Sequence, residues 1–163
     1  MANANKLSGI VNKINKLPDF ARSRALTLFF GKVVPFTGTA GIRIESLTHD
    51  GCVISIANKR RVQNHIGGVH AVASLLLAES ATGFLVGLNV PDDKVPVIKT
   101  AHAEYTRRAK GDMTVEARLS EEQRERIRTE DKGDVSVPVI IRDSEHKEPI
   151  EIEMIWAWTP KRR

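Results

Sequence analysis

Hydrophobic residues in the first 40 positions recur every three or four residues, which is the spacing of a helix. Between residues 3 and 17 the apolar side chains face away from the lysines, and they are Leu7, Ile10, Val11, Ile14 and Leu17. This pattern predicts an amphipathic helix, either packed on the body of the protein or, less favoured, lying on a membrane surface. A second helix is predicted over Ala21–Lys32, and Gly31, Pro35 and Gly38 mark its end.

The pattern then alternates between apolar and polar residues, as it does in strands with one buried face. Strands are predicted at Gly41–Leu47 and Cys52–Ala57, joined by a hairpin turn at His49-Asp50-Gly51. Four more are predicted after residue 90, at Val95–Tyr105, Met113–Leu119, Val135–Arg142 and Ile150–Thr159. Ser120 and Gln123 form a capping-box pattern, which predicts a short solvated helix between the second and third of these.

A long helix that is apolar on all sides is predicted from about Val69 to Leu88. Such a helix must be wrapped by a sheet, or covered by a sheet on one side and a partner on the other. Glu79 is the one side chain between Ile66 and Pro91 that is certain to ionise at pH 7. Because an isolated buried carboxylate is costly, Glu79 is either functional or paired with a buried Arg or a Ser hydroxyl.

The chain has 163 residues, the size of one ordinary domain, and a net charge of +5. Residues 1–36 hold six basic residues and one acid, whereas residues 37–163 hold 19 of each. The excess charge belongs to the N-terminal segment and has no aromatic residues interleaved, so no nucleic-acid partner is expected. No apolar run fits a signal peptide or a membrane span, and Cys52 is the lone cysteine, so a cytoplasmic protein is predicted.

Metal and serine-hydrolase chemistry are not expected from the motifs. His65 and His102 have no partner at the spacing of metal ligands, and HExxH and CxxC motifs are absent. No GxSxG motif occurs, which excludes the nucleophile elbow of serine hydrolases. We therefore expect no metal and no cofactor.

The segment Asn64–Gly83, NHIGGVHAVASLLLAESATG, resembles the hotdog fold, as does the order of two strands, one long helix and four strands. It is similar to acyl-CoA thioesterases of the phenylacetate-pathway type, whose motif places His-Gly-Gly after an Asn and a Gly. An Asp or Glu then follows nine residues after the His. The positions in register here are Asn64, Gly67, Val69, His70 and Glu79. The likeness is closer still to an uncharacterised hotdog subfamily that carries an N-terminal helical arm.

The resemblance implies an α+β protein in which an antiparallel sheet wraps around one long apolar helix. It covers roughly residues 37–160, so we expect a hotdog domain at 37–163 and an N-terminal helical arm at 1–36. It also implies hydrolysis of an acyl-CoA or acyl-carrier thioester, with Glu79 as base or nucleophile and Asn64 and His70 beside it. The chain departs from the motif after the His, where Ala71-Val72 replaces Gly-Gly.

Thioester hydrolysis needs donors for the developing oxyanion as well as a base or nucleophile. The N-terminus of the long helix offers free N–H groups, and Gly67 and Gly68 allow the backbone to approach a ligand. The family uses the N–H of the residue after the His, which is Ala71 here. The Cβ of Ala71 and the Val72 side chain narrow this approach.

Spacing along the helix predicts a site shared between two chains. Nine residues at about 1.5 Å of rise separate His70 from Glu79 by about 13 Å. One carbonyl group cannot reach both, so Glu79 of one chain is expected to face Asn64, His70 and Ala71 of another. We therefore predict a homodimer, with a dimer of dimers as a further possibility.

Coenzyme A carries phosphates, so a cationic edge is expected beside the site. Arg107, Arg108 and Lys110 are the predicted substrate-binding cations, because this region often lies near the nucleotide in the family. Ordinary surface charge is the alternative, and Lys59-Arg60-Arg61 forms a second, less favoured cluster. Two other functions stay open: acyl-CoA binding without catalysis, which the Ala71-Val72 departure favours, and, ranked last, hydration of an enoyl-CoA.

Overall fold

The computed structural model describes residues 5–162, so residues 3 and 4 of the predicted first helix lie outside the described part. The helices are α1 (Lys6–Ile14), α2 (Asp19–Val33), α3 (Pro35–Ala40), α4 (Ala71–Asn89) and α5 (Glu121–Thr129). The strands are β1 (Ile42–Leu47), β2 (Gly51–Ile56), β3 (Lys94–Tyr105), β4 (Met113–Arg118), β5 (Gly133–Ser136), β6 (Val139–Asp143) and β7 (Ile150–Pro160). Apart from the predicted strand Val135–Arg142, which is divided in two, each predicted element is present within a few residues of its expected position.

All strands pair antiparallel, in the orders β1-β2-β4-β6 and β3-β7-β5. β5 and β6 were predicted as one strand, but Pro138 lies between them and cannot donate a ladder hydrogen bond. The break lets β5 pair with β7 while β6 pairs with β4. The two sheets are thereby joined into one strongly bent layer with β1 at one edge and β3 at the other.

α4 lies inside this bent layer and supplies much of the core. Its buried side chains include Leu77, Leu85 and Leu88, and the Trp156 ring of β7 lies against Gly83, where a Cβ would be only 2.7 Å away. By length and composition alone α4 could cross a membrane, but most of its side chains are buried against the sheet. An antiparallel sheet wrapped around one apolar helix is the hotdog fold that the sequence predicted.

The N-terminal helices pack on the body with part of their apolar surface inward, while Phe20 and Leu28 of α2 stay exposed. Leu26 and Phe30 of α2 are buried in the same core as α4. Ser23 Oγ donates to the Ile44 carbonyl at 2.7 Å, and Thr27 Oγ1 accepts from the Ile44 N–H at 2.9 Å. These bonds occupy the outer edge of β1, which protects that strand from pairing with another chain.

The short helix α3 was not predicted. Pro35 stands at its first turn, where proline is favoured, although a proline after Gly31 is also typical of a helix end. Gly31 and Gly38 bring α2 and α3 into contact, since a Cβ on Gly38 would lie 2.8 Å from the Gly31 carbonyl oxygen. The boundary between residues 36 and 37 therefore falls inside α3 and remains a prediction.

Candidate active site

The first turn of α4 presents free backbone donors. The helix begins at Ala71, and His70 is its N-cap residue, whose Nδ1 accepts a hydrogen bond from the Val72 N–H at 3.1 Å. The Ser74 N–H bonds the His70 carbonyl at 3.0 Å. Within residues 5–162 the N–H groups of Ala71 and Ala73 have no acceptor. These two donors, at the positive end of the helix, can bind a developing negative charge.

Asn64 shapes the loop that leads into this turn. Its Oδ1 accepts from the N–H groups of Ile66 and Gly68, both at 3.1 Å, which closes a tight turn. Gly67 inside the turn has a φ of 76°, in the left-handed region that favours glycine. Its carbonyl accepts from Asn58 Nδ2 at 3.0 Å. The Asn64 Nδ2 has no acceptor within the described residues and remains available to a ligand.

A cavity of about 400 Å³ lies between this loop and the segment that follows β3. Its lining includes five residues predicted to bind substrate or act in catalysis: Asn64, Gly68, Ala71, Arg107 and Arg108. None of its lining residues is acidic. The cavity therefore combines neutral donors with positive charge, which suits a carbonyl next to an anionic group.

Tyr105 also lines this cavity, although it was not among the predicted site residues. Its hydroxyl donates to the Ala71 carbonyl at 2.7 Å, tying the end of β3 to the first turn of α4. Burial raises the pKa of the Tyr105 hydroxyl, so it stays protonated as a donor. Its position two residues before Arg107 was the available signal.

The three predicted cations differ in their partners. Arg108 donates to the Ile66 carbonyl at 2.9 Å, and no carboxylate pairs with it among the described residues. Lys110 forms an ion pair with Glu145 at 2.7 Å, while Arg107 lies 3.9 Å from the same carboxyl group. Lys110, Arg108, Gly67 and Gly68 line a neighbouring cavity of about 340 Å³. Arg108 therefore carries the least compensated charge at the site.

His70 does not line the first cavity. It lines a third cavity, of about 270 Å³, on the other side of the first turn, together with Val72 and Leu76. The Val72 side chain, 58% exposed, also lies on this side. The two residues that replace Gly-Gly therefore lie at different cavities, since Ala71 lines the first cavity and Val72 lines the third.

Glu79 is not brought to the other predicted residues within one chain. It lies in the middle of α4, about 13 Å along the helix axis from His70 at about 1.5 Å per residue, and it lines none of the three cavities. Burial raises the pKa of its carboxyl group, against a lowering influence of the Ser80 hydroxyl. No described arginine or lysine pairs with it.

The chain matches one known protein family. The matching family model is that of a domain of unknown function, DUF4442, and it spans residues 22–158. The chain belongs to this family. No curated protein matches it.

Solved structures of the same fold come from several bacteria. A Pseudomonas aeruginosa protein of unknown function, described as a probable thioesterase, is 25% identical with a TM-score of 0.76, over 89% of this chain and 97% of that one. A thioesterase of Haemophilus influenzae is 19% identical with a TM-score of 0.61, over 77% and 82%. A thioesterase enzyme of Staphylococcus aureus is 19% identical with a TM-score of 0.65, over 78% and 100%. The predicted kinship with hotdog proteins is confirmed.

Proposed function

We propose that this DUF4442 protein is a cytoplasmic thioesterase that hydrolyses an acyl-CoA or acyl-carrier thioester. The observation that carries the proposal is the first turn of α4. There, the free N–H group of Ala71 and the free amide of Asn64 lie beside a cavity lined by Arg107 and Arg108. The Pseudomonas aeruginosa relative described as a probable thioesterase supports the same chemistry.

In the proposed reaction the thioester carbonyl oxygen accepts from the Ala71 N–H and from Asn64 Nδ2. The Glu79 carboxylate takes a proton from water while the water oxygen bonds to the carbonyl carbon. The N–H donors stabilise the resulting oxyanion, which collapses as the C–S bond breaks and the thiolate leaves to be protonated. Direct attack by the carboxylate, giving an anhydride that water then opens, uses the same groups. The raised pKa of Glu79 makes it a stronger base than an exposed glutamate.

The proposed site is shared between two chains, because the Glu79 carboxyl group lies too far from the first turn of its own helix. The open edge of β3 supports such a dimer. This strand has 12 residues and, among residues 5–162, pairs with β7 alone, and its Val97 and Ile98 side chains are 45% and 40% exposed. Since α2 covers the opposite edge of the sheet, β3 is the edge free to pair with a second copy.

The phosphates of coenzyme A are proposed to bind on the side of Arg107, Arg108 and Lys110. The Lys110 backbone N–H donates to Asp143 at 3.2 Å, which holds this segment in place. Arg108 is fixed on the Ile66 carbonyl, so both Gly67-Gly68 and a strong cation face the same space. A guanidinium group presented without a carboxylate partner is suited to bind phosphate.

Hydrolysis of a panel of acyl-CoA substrates by the wild type and by Glu79→Gln tests the proposal. We expect a loss of about 10²–10⁴-fold in kcat for the variant, because it lacks the general base. Glu122→Gln, on the exposed surface of α5, is the control and should retain full activity. Equal rates for the wild type and Glu79→Gln would remove Glu79 from the mechanism.

A second candidate, acyl-CoA binding without catalysis, is favoured by Ala71-Val72 in place of Gly-Gly. The Ala71 Cβ adds bulk beside the donor that the carbonyl must reach. Tight binding of acyl-CoA by the wild type, with no release of free thiol over hours, would support this candidate and contradict hydrolysis.

A further inference from the structure

The third cavity lies between the N-terminal helix α3 and the first two turns of α4. It has a volume of about 270 Å³. Six of its lining residues are apolar, and they come from three separate segments of the chain: Phe36, Ala40, Val62, Val72, Ala73 and Leu76. None of the lining residues is acidic. This lining is therefore mostly apolar, whereas two arginines and the Asn64 amide line the first cavity.

Two large apolar side chains of this cavity are exposed. Phe36 of α3 is 61% exposed and Val72 of α4 is 58% exposed, although both border a hollow that could hold more apolar material. The one cation in the lining is Arg61, whose guanidinium group lies against Gly41, where a Cβ would be only 1.6 Å from it. An apolar ligand in this cavity would remove both exposed side chains from water.

The two cavities flank one turn of helix. Ala71 lines the first cavity, whereas its neighbours His70 and Val72 line the apolar one. An acyl-CoA has the same division, with phosphates at one end, an apolar acyl group at the other and the thioester between them. If the thioester carbonyl binds the Ala71 N–H, the phosphates of acyl-CoA would lie in the first cavity, beside the arginines. The acyl group would lie in the apolar cavity.

We propose that the apolar cavity between α3 and α4 receives the acyl group, so that α3 sets the acyl length this protein accepts. The inference rests on the proposed function for the position of the thioester. At about 30 Å³ for each water-sized group the cavity holds about nine non-hydrogen atoms. It can therefore enclose about eight carbons of an acyl chain or a single aromatic ring, and any further carbons would extend into water.

Thr39 offers a way to fill this cavity without disturbing the core. It is exposed on α3, lines the cavity, and its Oγ1 donates to the Pro35 carbonyl at 3.1 Å. Thr129 on α5 is a matched control, because it is also exposed and its Oγ1 donates to the carbonyl four residues earlier, at 2.8 Å. Thr39→Phe and Thr129→Phe therefore make the same chemical change inside and outside the cavity.

The experiment measures the affinity of non-hydrolysable thioether analogues of acyl-CoA from two to sixteen carbons by calorimetry, alongside hydrolysis of the matching thioesters. For the wild type, affinity should rise about fourfold for each added methylene and level off near about eight carbons. Thr39→Phe should weaken binding of the eight-carbon analogue at least tenfold and change the two-carbon analogue by less than twofold. Thr129→Phe should follow the wild type throughout.

The outcomes separate the inference from the proposed function. Chain-length-dependent binding that Thr39→Phe abolishes, without turnover of any thioester, would support the acyl cavity and overturn the hydrolase. Turnover whose chain-length dependence is the same in Thr39→Phe and the wild type would support the hydrolase and overturn the acyl cavity. An equal loss at every length in Thr39→Phe would also overturn it, and absence of binding at any length would overturn both.

Discussion

The first turn of α4 and the middle of the same helix hold complementary groups in different surroundings. The first turn has free donors at Ala71 and Ala73, lies at the surface, and borders a cavity with no acidic lining residue. The middle has the Glu79 carboxyl group, half-buried and without a cation beside it. The first turn has N–H donors but no carboxylate, and the middle has a carboxylate but no free N–H donors. The helix holds the two regions about 13 Å apart at about 1.5 Å of rise per residue.

This difference shows why one chain is an incomplete site under the proposed function. A rigid helix cannot fold back to bring its own middle to its own N-terminus, so only a second copy can supply the missing group. The open edge of β3 gives that copy a place to pair.

Asn64→Asp should lower kcat by about 10²–10³-fold, the usual cost of losing one oxyanion donor. The variant keeps an Oδ1 acceptor for the Ile66 and Gly68 N–H groups, so the loop retains its turn. It replaces the free amide donor with an oxygen that repels the oxyanion. Steady-state hydrolysis of the best acyl-CoA substrate measures the loss, and unchanged activity would place the carbonyl elsewhere.

Mixing Asn64→Asp with Glu79→Gln tests whether the site is shared between two chains. If each site combines the first turn of one chain with Glu79 of the other, a mixed dimer has one intact site out of two. Refolding the two inactive variants together in equal amounts should then restore about one quarter of wild-type activity. Each variant refolded alone is the control. No recovery in the mixture would mean that both groups act within one chain.

Arg108→Ala should raise KM for acyl-CoA about tenfold with little change in kcat. The reason is that the Arg108 guanidinium group, bonded to the phosphates of coenzyme A, stabilises the bound substrate and the transition state equally. The effect should vanish for acyl-pantetheine substrates, which lack the nucleotide. Arg60→Ala, an exposed arginine of the other basic cluster, is the control and should leave KM unchanged. Equal effects of Arg108→Ala on both kinds of substrate would contradict phosphate binding.

Glu79→Gln should make the protein more stable at neutral pH. Burial raises the pKa of Glu79 above the value of 4.5 for an ordinary glutamate, so its ionisation is easier in the unfolded chain. Stability is thus complete below the ordinary pKa and falls as pH rises through the raised one. Thermal unfolding should give the variant a higher Tm than the wild type near pH 7.5 and a closely similar Tm near about pH 4.

The control for this smallest effect is Glu122→Gln, which removes an exposed charge and should alter Tm little at either pH. A lower Tm for Glu79→Gln near pH 7.5 would mean that the carboxylate is stabilised by a partner in the assembled protein, and would contradict the account of burial.

Much of the fold could be predicted because local pattern and tertiary role agree. The apolar stretch Ala71–Asn89 was predicted as a helix wrapped by the sheet, which the structure shows, and the Ser120–Gln123 capping box formed as expected. The break between β5 and β6 was missed because an apolar run with one proline reads as a single edge strand. α3 was missed because Pro35 and Gly38 are typical of a helix end, and only packing against Gly31 shows that they begin another helix.

The sequence by itself determined the buried helix and the presence of one ionisable group within it, because periodicity and composition dictate which faces avoid water. The hotdog architecture followed from the resemblance of Asn64–Gly83 and of the element order to that fold. Only the tertiary structure decided how the candidate site residues are distributed. It placed Ala71 and Val72 on opposite sides of one turn, brought Tyr105 to the Ala71 carbonyl and left Glu79 apart. Such distances depend on how separate segments pack together, and no local pattern contains that information.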